Sequence, residues 1–425
     1  MLAAGAVRIG SVGGRARAWL AGAAALALLL GAAPAFGDED LANVPVRQRP
    51  RKDYAPVGVH ADAFMIFPSV TVGMQYDSNV FARTEPIDDW ALVTAPKLRV
   101  LADRGDGYYE LDLGAAHYTY EKLDSEERTD AHARFRMSRQ LTSDLQWDAA
   151  FEAARRHELR GEAFSFTDAA EPVPYRDINA QTSVTRTFNR LGVMVGGRVR
   201  NLSYEDVSLS DGTPLDQSYR DGTIITTTLK PFYDFSPGYR AYARIDLSKR
   251  DYEGQGEQNR DSQGFDARGG LEFRLSSLLL GSVELGYLAY DYDNPLIPTV
   301  DGLSAGARVM WLMTPLMTLS FFAERSVAEM AAPDAEGRLD FSAGAQLDYE
   351  ILRNLILSLE GVYKNEEYSG TSRSDDVVKL SAKLDYLLSR RLNLGLSYNY
   401  IDRTSENQLY DFDKHVVTFN VTAQH

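Results

Sequence analysis

The stretch MIFPSVTVGMQYDSNVFAR, residues 65–83, decides how the rest of the chain is read. From Ser69 to Tyr76 polar or small residues alternate with apolar ones. Val70, Val72, Met74 and Tyr76 share one parity, and Ser69, Thr71, Gly73 and Gln75 share the other. Side chains of a strand alternate between its two faces, so this is a strand with one apolar and one polar face. At Asp77-Ser78-Asn79 the alternation breaks into turn-forming residues, whose side chains bond the nearby backbone.

The same pattern recurs to the end of the chain. In LQWDAAFEAAR, residues 145–155, Leu145, Trp147, Ala149 and Phe151 oppose Gln146, Asp148, Ala150 and Glu152. LDFSAGAQLDY at 339–349 and VTFNVTA at 417–423 alternate in the same way. About 18 such segments follow one another, each roughly 10 to 13 residues long, the reach a tilted strand needs to cross a bilayer. Sixteen is the next choice of strand number. Short turns such as Asn189–Arg190 and Thr314–Leu316 alternate with long polar loops such as Glu158–Arg176 and Glu205–Ser218. Alternating turn lengths are expected of an all-β, antiparallel transmembrane barrel with short periplasmic turns and long outer loops.

Tyrosines gather at the long-loop ends of the segments: Tyr76, Tyr118, Tyr120, Tyr204, Tyr219, Tyr252, Tyr287, Tyr290, Tyr292, Tyr363, Tyr368, Tyr398 and Tyr400. Amphipathic rings favour the membrane–water boundary, so these form an expected belt. A soluble β-sandwich is the competing architecture. It would need many strands buried on one face in a shared core, and the alternating turn lengths fit a closed barrel better.

The N-terminus reads as an export signal over residues 1–37. Arg8, Arg15 and Arg17 precede the apolar run Trp19–Ala33, and Ala33-Pro34-Ala35 offers a small-x-small cleavage site. An N-terminal membrane anchor is the alternative, but the apolar run is short and Asp38-Glu39-Asp40 follows at once. Loss of the three arginines takes the net charge from −15 to −18, an unfavourable balance for nucleic acid. Residues 38–63 read as a periplasmic tether, with Pro45, Pro50 and Pro56 among Arg47, Arg49, Arg51 and Lys52; a docking peptide is the other reading. The barrel would occupy 64–425.

There is no cysteine, and the six histidines are scattered without metal-ligand spacing, so no metal or cofactor is expected. Catalysis is not expected either. The chain has no G-x-S-x-G, and no histidine is followed two residues later by serine. His117 and His132 fall on adjacent segments with no serine nucleophile beside them.

The polar parity gives the expected pore lining: Arg134, Arg136, Asp148, Glu152, Arg198, Arg200, Arg240, Arg244, Arg268, Glu272, Glu284, Arg308, Glu324 and Asp340. Opposed charges in a lumen set a field and a selectivity. They equally can pair across neighbouring strands and brace the wall, as Arg268 could with Asp246 or Glu284. Glu158–Arg176, with Phe164, Phe166, Pro172 and Pro174, is the best candidate for a loop that folds into the pore; a surface loop is the plainer reading.

Residues 49–83 carry a further signal. Arg49-Pro50-Arg51, then Tyr54, Pro56 and Gly58, then Phe64 and Pro68, then Tyr76-Asp77 with Asn79-Val80-Phe81, together resemble the putative beta-barrel porin type 2 family. The resemblance implies an outer-membrane channel for hydrophilic solutes, with some relatives tied to exopolysaccharide export. The alternative it carries is a non-conducting accessory barrel whose N-terminal arm engages a periplasmic export protein. Outer-membrane lipid and the barrel-assembly machinery are the expected partners. That machinery reads an aromatic final residue, whose place His425 takes here.

Overall fold

The computed structural model describes residues 43–425 except 106, 163, 164, 167, 328–336 and 370–372. The export-signal reading and Phe164 lie outside the described residues.

Eighteen long strands run in chain order, with three very short ones beside them. The first nine are β1 Phe64–Asp77, β2 Asp89–Arg104, β3 Gly107–Tyr120, β4 Arg128–Thr142, β5 Leu145–His157, β6 Pro174–Phe188, β7 Leu191–Tyr204, β8 Gly222–Ser236 and β9 Tyr239–Tyr252. The second nine are β10 Ser262–Arg274, β11 Leu279–Tyr292, β12 Val300–Thr314, β13 Met317–Val327, β14 Gly337–Leu352, β15 Leu355–Ser369, β16 Ser374–Leu387, β17 Leu392–Ser405 and β18 Phe412–Gln424. Each pairs antiparallel with its sequence neighbours, and β1 pairs with β18 through Ser69↔Gln424 to Asp77↔Val416. The sheet is therefore closed into an 18-stranded barrel. Closure leaves no strand edge unpaired, which hydrocarbon demands because it offers backbone groups no other partner. Pro96 and Pro231 interrupt one ladder each while the ladder on the other side of the strand continues.

The alternation sorts the faces as the sequence implies. Val70, Val72 and Met74 point outward and are exposed, as are Phe151, Val195, Leu247, Leu285 and Phe419. Buried charges such as Asp266, Arg268, Arg338 and Glu366 lie on the inner face. This reversal of a soluble protein is what lipid outside and a polar lumen inside require. Among the described residues no helix is long and apolar enough to cross a membrane; strands do the crossing.

The tyrosine belt is only half as expected. Tyr76, Tyr287, Tyr398 and Tyr400 share the outward parity, and Tyr76 packs on Trp90. Tyr118, Tyr120, Tyr204, Tyr252, Tyr290, Tyr292 and Tyr368 have the opposite parity and turn inward. Several take an arginine over the ring, as Arg128 does 4.1 Å above Tyr118 and Arg250 4.4 Å above Tyr290. Position near a loop set the expectation; parity set the outcome.

Candidate functional site: the charged lumen

The expected lumen residues meet in ion-pair ladders. In one, Arg134 reaches Glu152 at 2.9 Å, Arg156 bridges Glu152 at 2.5 Å and Asp177 at 2.7 Å, and Arg200 completes the run to Asp177 at 3.0 Å. Arg136 and Arg99 share Glu110, at 2.7 and 2.8 Å. Lys97 and His132 share Asp112, at 2.9 and 2.8 Å. Arg198 donates to Asn179 at 2.9 Å, and Asp148 accepts from Gln146 at 3.0 Å.

A second group spans β8 to β13. Arg240 pairs with Asp234 at 2.7 Å, and Lys230 with Glu272 at 2.6 Å. Arg244 pairs with Asp246 at 3.0 Å and Glu284 at 3.3 Å. Arg268 is 4 % exposed and lies between Asp266 at 2.6 Å and Glu284 at 2.8 Å. Arg308 meets Glu324 at 3.0 Å. A third group near the outer end joins Asp340 to Arg338 and Lys364, and Arg403 to Asp375. Sequence reasoning named Asp340 here but passed over Lys364, Glu366, Asp375 and Arg403. It likewise passed over Glu110 and Asp112, although their alternation in YYELDLG carries the inward parity.

Two segments narrow the lumen. At the short-turn end, residues 43–51 are not a free tether: they lie on the inner wall. The short 3-10 turn Val46–Gln48 buries Val46, whose N–H donates to Thr318 Oγ1 at 3.0 Å. Arg47 bonds Asp348 at 3.2 Å, Asp385 at 2.5 Å and Ser358. Arg51 bonds Glu350 at 2.9 Å, and Arg49 donates to the Pro315 carbonyl. The arginine-rich composition suggested solvation; three inward carboxylates some 300 residues downstream supply counter-charges instead. A cavity of about 450 Å³ separates Arg47 and Arg51 from Thr71, Asn393, Asn420 and Thr422 across the mouth.

At the other end the loop between β5 and β6 reaches over the opening. Arg160 pairs with buried Glu126 at 2.6 Å, and Arg220 with Glu158. Gly161, at φ +76°, sits so close to Phe412 and Ala82 that no side chain fits there. The loop thus spans from β5 to the start of β18. Beneath it a cavity of about 340 Å³ is bounded by Leu159–Glu162 on one side and Gln75, Lys379, Asn399 and Arg403 on the other.

The Tyr76–Phe81 motif fastens the first long loop to the closing strand. Asn79 N–H donates to Asp77 Oδ1 at 3.0 Å, and its Nδ2 donates to the Arg83 and Asp413 carbonyls at 2.7 and 3.1 Å. Asp77 also pairs with Lys414 at 2.8 Å. The expected Asx turn is therefore present, and it also pins β1 to β18.

This geometry, together with the family model "Putative beta-barrel porin 2" matching residues 51–425, decides the family. The chain belongs to it. This porin is accordingly a protein of the bacterial outer membrane. No curated protein matches its sequence. Solved structures of similar shape include Pseudomonas aeruginosa OpdL, at 14% identity, TM-score 0.42 and coverage of 86% of this chain and 99% of that one. P. aeruginosa OccK2 (OpdF) in complex with glucuronate has 10% identity, TM-score 0.44 and coverage of 84% and 98%. Acinetobacter baumannii OccAB4 has 12% identity, TM-score 0.44 and coverage of 89% and 100%. At such values nothing about solutes passes to the porin. Family membership sets it among porins rather than enzymes. In the structure His117 and His132 lie on opposite faces of the wall, bonded to Thr129 and Asp112, and so share no site.

Proposed function

We propose that this porin is a diffusion channel for hydrophilic solutes, with the charged inner face as its selectivity surface. The observation that carries the reading is the pairing of an exposed apolar exterior with a polar lumen that keeps cavities of about 450 and 340 Å³ at its two narrowed mouths. Arg134, Arg136, Arg198, Arg200, Arg240, Arg244, Arg268 and Arg308, with the acids Asp148, Glu152, Glu272, Glu284, Glu324 and Asp340, form that surface in this proposal. Rings of fixed charge select ions by sign and leave small neutral solutes to pass by size. Delivery to the membrane is assigned to the barrel-assembly machinery, acting on the last strand.

The accessory reading needs the arm's arginines free for a periplasmic protein, whereas Arg47, Arg49 and Arg51 are engaged within the chain. A polysaccharide cargo rests on the family resemblance alone. Three of the inward aromatics are spent on packing: Phe232 covers Gly192, Tyr242 covers Gly270 and Phe322 covers Gly344. Liposome swelling with the refolded porin tests the channel. Entry of small sugars, falling with sugar size, is the expected outcome; folded barrels that admit none of them would refute it.

A further inference from the structure

One sector of the wall differs from the rest. It runs from β16 through β17 and β18 to β1, the seam where the barrel closes. Between Asp385 at the inner mouth and Asp77 at the outer end, its inward residues include no carboxylate. They are instead amides and hydroxyls: Thr71 and Gln75 on β1, Asn393, Ser397 and Asn399 on β17, Thr418, Asn420 and Thr422 on β18.

These groups are largely unpaired. Thr71 and Thr422 bond each other at 2.8 Å, and Asn399 accepts from Ser381 at 2.8 Å. Among the described residues no protein partner is found for the side chains of Gln75, Ser397, Thr418 or Asn420, and Asn393 Oδ1 is buried with none. Lys379 forms no ion pair among the described residues. Glu360, its acidic neighbour on β15, does not close on it. Unsatisfied polar groups in a half-buried wall are costly unless a ligand or water completes them.

Both cavities open onto this same sector. The inner one touches Thr71, Lys383, Asn393, Asn420 and Thr422; the outer one touches Gln75, Lys379, Asn399 and Val416. From Val416 to Thr422 is about 20 Å of strand at ~3.4 Å per residue, so the amides join the two cavities in one column.

We propose that this column is the solute-binding track, and that its ligand is a hydroxyl-rich molecule bearing one negative charge. Gln75, Asn399 and Asn420 hydrogen-bond the hydroxyls, and Lys379 takes the charge. A hydroxyl both donates and accepts, and side-chain amides match both halves where an all-acceptor or all-donor wall matches one. The column's own residues between Asp385 and Asp77 carry no carboxylate, and the outer-cavity acids Glu126, Glu158 and Asp77 are paired with Arg160, Arg220 and Lys414. Lys379 is a cation that feels Glu360 without closing an ion pair on it. The proposal deepens the channel reading and rests on it.

Gluconate and its uncharged relative sorbitol are suitable probes, titrated onto the full-length refolded porin in detergent and followed by saturation-transfer NMR. Gluconate is expected to bind more tightly than sorbitol. Lys379→Met should bring gluconate down to the level of sorbitol, about ten-fold, by loss of a charge-assisted bond. Asn399→Leu and Asn420→Leu should weaken both probes about five-fold each, and Ser282→Leu on β11 neither. Heat-modifiable migration checks that each variant is folded. Equal binding of the two probes, or losses as large in Ser282→Leu as in the column variants, would overturn the track. Current block by gluconate in planar bilayers separates the two claims. Binding without conductance overturns the channel and keeps the ligand site; conductance without binding keeps the channel and overturns the track.

Discussion

The wall from β2 to β15 and the seam from β16 to β1 solve the same problem in opposite ways. Both must line a wet lumen. The larger sector does so with charges that satisfy one another, so that Arg268, Asp266, Arg338 and Glu366 are almost completely buried. Between its paired ends, Arg403–Asp375 and Lys414–Asp77 outside and Lys383–Asp385 inside, the seam does so with uncharged groups left half-exposed and mostly unpartnered. Self-satisfied charges brace a wall and leave little for a ligand. Unpaired amides brace little and are available. The contrast predicts that stability and solute binding map to different sectors.

The largest expected effect belongs to Arg268→Met. It leaves Asp266 with Ser304 as its remaining side-chain partner and strips Glu284 of one of its two arginines. Breaking a buried pair by removing one partner costs about 3–5 kcal/mol, which a urea titration of the refolded barrel would read. Glu350→Gln comes next. It removes the carboxylate shared by Arg49, Arg51 and Arg353, and each charge-assisted bond lost is worth about 1.5–3 kcal/mol. The arm should then become open to protease near residues 43–51, and conductance should rise because the inner mouth widens. Unchanged proteolysis would show that the arm is held by other contacts.

Gly270→Ala should cost less, about 1–3 kcal/mol, because the added methyl displaces the Tyr242 ring and its hydrogen bond to Glu284 at 2.9 Å. Asn420→Leu, on the seam, should change stability by no more than about 0.5 kcal/mol. A seam variant as destabilising as Arg268→Met would erase the distinction between the sectors.

Much of this architecture is legible in the sequence because a period of two is a local signal. Val70, Val72 and Met74 against Thr71, Gly73 and Gln75 declare two faces without knowledge of any partner strand. Pairing across neighbours was also within reach, since Arg268 and Glu284 sit on consecutive strands. The arm was not. Arg47 looks solvated in its own sequence, and its partners Asp348 and Asp385 lie some 300 residues away. The seam escaped for another reason. A search for chemistry follows charges, and strands such as VTFNVTA have none, so the unpaired amides stand out only once the paired walls around them are seen.

Single-channel conductance of the refolded porin in planar bilayers tests the central claim most directly. The account predicts discrete, stable current steps, larger when residues 43–51 are removed, with ion selectivity shifted towards cations by Arg198→Glu. A folded, heat-modifiable barrel that inserts and stays electrically silent with and without the arm would contradict it.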